Sequence, residues 1–143
     1  MNVISKYLML YISSFTMMIY GQSFFDNKDE VLSPQKAFQI NIINNGDSFH
    51  IKWNIKQGYY MYLDSYRIMQ KDQSISFELV DTTIIAYEDE FFGDTEIIRE
   101  NALISINTLD ISSNDELVIS YQGCADQGFC YPIQKYKASL KNL

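Results

Sequence analysis

The segment from Ser48 to Ile55 alternates without interruption: Phe49, Ile51, Trp53 and Ile55 fall on one side, Ser48, His50, Lys52 and Asn54 on the other. A period of two sends successive side chains to opposite faces of an extended chain, so this reads as a strand with one face buried. Just before it stands Asn44-Asn45-Gly46-Asp47, and its Asn-Gly pair accepts the positive φ of a tight hairpin. The other apolar runs are short: Ala37 to Ile43, Tyr59 to Leu63, Tyr66 to Met69, Ile75 to Val80, Thr83 to Tyr87, Ala102 to Asn107, Glu116 to Tyr121 and Ile133 to Leu140. Polar loops such as Asp110 to Asp115 separate them, and no long window has a helical period. Short strands at this spacing predict an all-β fold, an immunoglobulin-like β-sandwich.

A chain of 143 residues, 47% hydrophobic and 15% aromatic, is enough for one domain with a real core. Its net charge of −7 argues against nucleic acid as a partner, because phosphate binding needs clustered Lys and Arg. Residues 1–23 read as a secretory signal: Lys6 is the cationic start, Tyr7 to Tyr20 is mostly apolar, and Gly21 and Ser23 are small residues suited to cleavage. The alternative is an uncleaved anchor, although the apolar run is short for a span. Residues 24–36, with Ser33-Pro34, read as a flexible lead-in, and residues 37–143 as the folded domain.

Export places the two cysteines, Cys124 and Cys130, in an oxidising compartment, where a pair favours a disulfide. They lie in Gly123-Cys124-Ala125-Asp126-Gln127-Gly128-Phe129-Cys130-Tyr131-Pro132, and its glycines and proline predict a tight loop. With one histidine, His50, they do not make a four-ligand zinc site. A structural immunoglobulin disulfide spans the core between strands distant in sequence. This one would close a short loop, worth about 2 kcal/mol by loop entropy. A passive staple and a working redox pair both remain open on spacing alone.

Two further stretches stand out. Residues 87–100 carry six acids around Phe91-Phe92-Gly93. This is either a solvated acidic loop or one whose rings cover something, since exposed aromatics forgo burial. The acids lack the spacing of an EF-hand, and so small a domain leaves little room for a sugar cleft. Tyr59-Tyr60-Met61-Tyr62 puts four large side chains in a row. In a strand they cannot all face one core, so two belong on a loop-covered or functional face.

Three segments, Gln57-Gly58-Tyr59-Tyr60-Met61-Tyr62, Glu88-Asp89-Glu90-Phe91-Phe92-Gly93 and Tyr121 to Pro132, resemble in the same order the N-terminal periplasmic domain of the DsbD thiol:disulfide interchange family. The resemblance covers roughly residues 34–140. It implies a periplasmic immunoglobulin-like domain that carries reducing equivalents without a cofactor or metal, through cysteines that cycle between dithiol and disulfide. By position, Cys130 corresponds to the cysteine that forms mixed disulfides and Cys124 to its resolving partner. Asp89, Glu90 and Phe91 match a cap loop over the pair, with Phe91 as the shield. Tyr60 and Tyr62 match aromatics lining the site, and Phe129 and Tyr131 flank Cys130.

The implied partners are thioredoxin-like periplasmic proteins of the disulfide isomerase or cytochrome c maturation type. Electrons come from a membrane donor. The family protein continues into membrane helices and a second redox domain, whereas this chain ends at Leu143. Either the donor is a separate chain or the rest is missing, and a Met1 start with a signal favours a complete product. The other reading of the whole chain is a secreted immunoglobulin-like binding module with a passive disulfide. Acids at Asp89, Glu90 and Asp126 would disfavour the thiolate and keep the free pair sluggish until a partner docks.

Overall fold

The computed structural model describes residues 30–90 and 92–142. The expected signal at 1–23, the first part of the lead-in and Phe91 lie outside the described residues. From Val31 onward the chain forms one compact unit. Residues expected in the lead-in are therefore part of the domain: Pro34–Ala37 forms a single helical turn, α1, and Val31 and Leu32 pack against the core. Proline suits the first helical position, where its missing N–H is not needed.

The fold is all-β and immunoglobulin-like, with antiparallel strands in three sheets. The first sheet runs β1 (Phe38–Asn44), β2 (Ser48–Ile55), β9 (Asn101–Asn107), β6 (Glu78–Leu79). The second runs β13 (Gln134–Ser139), β10 (Glu116–Tyr121), β4 (Arg67–Gln70), β5 (Gln73–Ser74). The third runs β12 (Phe129–Cys130), β11 (Gly123–Ala125), β3 (Tyr59–Tyr62), β8 (Gly93–Ile98), β7 (Ile84–Asp89). The alternation read in β2 is realised, with Phe49, Ile51, Trp53 and Ile55 buried. Gly46 closes the β1–β2 hairpin at φ 86°. The run expected at 75–80 is broken, with pairing only at Glu78–Leu79.

The core gathers Ile51, Trp53, Ile104, Ile106, Ile68, Leu117 and Ile119 from the first two sheets and Met61 from the third. Two neighbouring breaks carry the chain between the second and third sheets. A 3-10 turn at Leu63–Ser65 separates β3 from β4, and Gln122 alone separates β10 from β11. Ser65 joins them: its hydroxyl donates to the Tyr62 carbonyl (2.6 Å) and accepts from the Gln122 N–H (2.9 Å). These breaks place β3 and β11 side by side, and the cysteines lie there.

Candidate redox site

Strand β3 is buried on both faces. Tyr59 and Met61 face the main core, while Tyr60 and Tyr62 join Ile97 and Cys124 in a second, smaller cluster. Four large residues in a row are thus accommodated by period-two alternation between two covered faces. Register carries the same division into β11. Gly123 pairs with Met61, Cys124 with Tyr60 and Ala125 with Tyr59. Ala125 therefore joins the main core and Cys124 the small cluster. Gly123 has to be glycine, because a Cβ there would sit 2.5 Å from both the Phe38 ring and the Tyr60 carbonyl oxygen.

The cysteine segment is a small hairpin rather than an irregular loop. Cys124 in β11 stands directly opposite Cys130 in β12, with Cα atoms 4.0 Å apart, and the two are disulfide-bonded. The turn between them uses Gly128 at φ 84°. The sulfurs differ in access: Cys124 is 0% exposed, and Cys130, on the edge strand, is half-buried.

Strands β7 and β8 form a hairpin whose tip reaches this pair. The acidic stretch expected as a loop is mostly that hairpin, with Asp89 opposite Gly93. Asp89 is 6% exposed. The Tyr60 and Tyr62 hydroxyls both donate to its Oδ2, at 3.0 and 2.7 Å, and the Phe92 N–H donates to Oδ1 at 3.2 Å. The Tyr62 oxygen also lies 3.2 Å from Cys124 Sγ and 3.7 Å from Cys130 Sγ. A closed disulfide has no S–H, so the hydroxyl proton goes to Asp89 and its oxygen faces the sulfurs. In the dithiol, a Cys124 S–H could donate to that oxygen.

Burial, then the Asp89 hydrogen bond, pushes the Tyr62 pKa up to about 12. Tyr60 is raised too, by burial first and then by its hydrogen bonds to Tyr62 and Asp89. Both hydroxyls therefore stay protonated at neutral pH, and both remain donors.

The other expected site residues are more scattered. Glu90 is exposed and lines a cleft of about 300 Å³ with Tyr60, Tyr87, Asp126 and Gly128. Phe92 is 59% exposed, with its ring edge-on to Tyr62 at 5.0 Å. Phe129 is exposed on β12, its ring 5.0 Å from that of Tyr131. Tyr131 belongs to the main core: its hydroxyl donates to the Leu32 carbonyl at 2.5 Å, and its ring meets Phe38. It backs the site from the core side.

Asp126 does not present a bare charge to the sulfurs. The Arg99 guanidinium grips it with two hydrogen bonds, at 2.9 and 3.2 Å, and lies over the Tyr60 ring at 5.1 Å. Arg99 escaped the sequence reading. The available signal was a cation at the end of an acidic run, which spacing alone does not connect to the cysteines.

An immunoglobulin-like domain with a short-range cysteine pair, one sulfur buried and one at a sheet edge, defines a class of disulfide-bearing β domain unlike those stapled across the core. The model of the family described as "Thiol:disulfide interchange protein DsbD, N-terminal" matches residues 28–142, and the chain belongs to that family. It is 32% identical over 114 residues to the thiol:disulfide interchange protein DsbD of Colwellia psychrerythraea, covering 80% of this chain and 19% of that protein. It is 34% identical over 110 residues to that of Vibrio cholerae, covering 77% and 18% respectively. The chain thus spans about a fifth of the length of these relatives. Among solved structures, the Neisseria meningitidis DsbD N-terminal domain in the reduced form is similar at a TM-score of 0.66 and 27% identity, over 76% of this chain and 87% of that one. The complex between the DsbD N-terminal and PilB N-terminal domains of the same organism matches at a TM-score of 0.59 and 26% identity, over 76% and 86%.

Proposed function

We propose that this domain performs thiol–disulfide exchange, shuttling reducing equivalents through a reversible Cys124–Cys130 bond. The observation that carries the reading is the unequal burial of two directly paired cysteines, which leaves one sulfur near a surface and keeps the other in reserve. In the dithiol state the Cys130 thiolate attacks one sulfur of a partner disulfide. A mixed disulfide forms, and the partner's other sulfur leaves as a thiolate. The Cys124 thiolate then attacks Cys130 Sγ and releases the partner's second thiolate. Two electrons have moved, the partner is a dithiol, and the domain is oxidised.

A donor dithiol reverses the sequence to recharge the domain. The family resemblance supports a membrane protein or segment as that donor, and thioredoxin-like periplasmic proteins as acceptors. A relative's domain in complex with a PilB domain supports protein partners of this kind. The apolar N-terminal run supports export to the periplasm. Asp89, Glu90 and Phe91 act as the cap, with Tyr60 and Tyr62 holding Asp89.

The test is a trap. Cys124→Ser, lacking the resolving thiol, accumulates mixed disulfides with other proteins in the periplasmic fraction on a non-reducing gel, and Cys130→Ser does not. Equal trapping by both overturns the assignment of roles to Cys130 and Cys124, and trapping by neither leaves a passive bond. The Phe91 shield has its own readout: Phe91→Ala speeds iodoacetamide alkylation of the reduced pair at every pH. A rate equal to wild type across the range removes Phe91 from the cap.

A further inference from the structure

Arg99 follows the end of β8 at Ile98 and joins three parts of the site that are otherwise separate in sequence. Its two hydrogen bonds to Asp126 tie down the turn between β11 and β12, the turn that joins the two cysteine strands. A third bond anchors the same turn on the strand side, from the Asp126 N–H to the Gly58 carbonyl at 2.8 Å. The guanidinium also covers the face of Tyr60, whose hydroxyl donates to Asp89 at the hairpin tip. Tyr60 in turn is the register partner of Cys124. One planar cation thus touches the cysteine turn directly and reaches the cap through a single ring. A bidentate fork and a stacked plane are properties of arginine that lysine lacks.

We propose that Arg99 is a positioning residue for the exchange reaction: by clamping the Asp126 turn and stacking on Tyr60 it holds the Tyr60–Asp89 contact closed over the disulfide. The clamp rests on the exchange reading for its purpose but not for its measurement. With Arg99 in place, the hairpin tip and the cysteine hairpin behave as one unit, and Cys130 is reached only when that unit loosens. Without it, Tyr60 loses the cation on its face and the 126–128 turn keeps only its backbone anchors. Asp126 is then a free carboxylate near the sulfurs.

The two consequences separate in a pH profile of iodoacetamide alkylation of the fully reduced protein. A looser site raises the limiting rate at high pH. A change in charge moves the midpoint. Arg99→Lys keeps the charge and loses fork and stack, so it raises the limiting rate with the midpoint unmoved. Arg99→Gln raises the limiting rate and moves the midpoint up, because Asp126 is left uncompensated. Asp126→Asn raises the limiting rate and moves the midpoint down. The rate changes are about two- to fivefold, as suits partly exposed cation–π and ion-pair contacts. In Arg99→Gln/Asp126→Asn the limiting rate rises no further than in either single variant, since one clamp is broken twice.

A wild-type limiting rate in Arg99→Lys overturns the proposal, because charge alone then suffices. So does a lowered thermal midpoint in Arg99→Gln with an unchanged profile, which makes the pair merely structural. Should Arg99→Gln fail to fold, Asp126→Asn, at an exposed carboxylate, decides the matter alone. The profile needs only reduced cysteines, so the clamp can fail while the Cys124→Ser trap succeeds, and the reverse.

Discussion

The two faces of β3 bury similar residues for different ends. Toward the main core, Tyr59 and Met61 join a large cluster of aliphatic and aromatic side chains, with Trp53, Ile104 and Leu117 fully buried. Toward the cysteines, Tyr60 and Tyr62 pack in a small cluster with Ile97 and Cys124, with Tyr87 and Cys130 half-buried beside them, and both hydroxyls reach the buried Asp89. The first cluster is held by apolar area removed from water, which is non-directional and spread over many contacts. The second depends on two hydroxyls, one carboxylate and one cation in fixed geometry. A region built on few directional contacts can open locally without unfolding the rest.

The largest expected effect breaks the main core and leaves the small cluster alone. Ile104→Ala removes a fully buried side chain and costs about 2–5 kcal/mol of global stability, read by urea unfolding with the disulfide closed. Alkylation of the reduced pair under native conditions stays near wild type. Faster alkylation with little loss of stability would mean that the clusters are not separable.

A smaller effect sharpens the contrast from the other side. Folding raises the pKa of Tyr62 to about 12, by burial first and the Asp89 hydrogen bond second. The fold therefore favours the neutral phenol. That contribution is complete below the ordinary tyrosine pKa of about 10 and is lost as pH climbs from there through the folded value. Tyrosinate absorbance should show Tyr62 ionising late. In Asp89→Asn it ionises earlier but still above an ordinary tyrosine, because burial remains. An unchanged titration would show that the carboxylate does not hold the hydroxyl.

Much of the sandwich was legible in the sequence because its strands are half-buried and their apolar residues alternate. β2 and β10 could be read residue by residue, and the Asn45-Gly46 turn marked a hairpin. β8 was not legible: Gly93 to Glu96 is polar and largely exposed, and only Ile97 and Ile98 are buried. Its strand identity comes from pairing with β7 and β3. β11 and β12 were hidden for a related reason. Strands of three and two residues carry no period, and glycine at 123 and 128 reads as loop.

The sequence by itself determined that the chain is all-β, that its cysteines sit in a short punctuated segment, and that four aromatic-rich positions in a row need two covered faces. Those are local properties of alternation, turn chemistry and spacing. Tertiary structure alone decided which tyrosines face the sulfurs, that Tyr131 turns to the core, and that Asp126 is neutralised by Arg99. Each of these depends on cross-strand register between segments distant in the chain, and a shift of one residue would send every side chain to the other face.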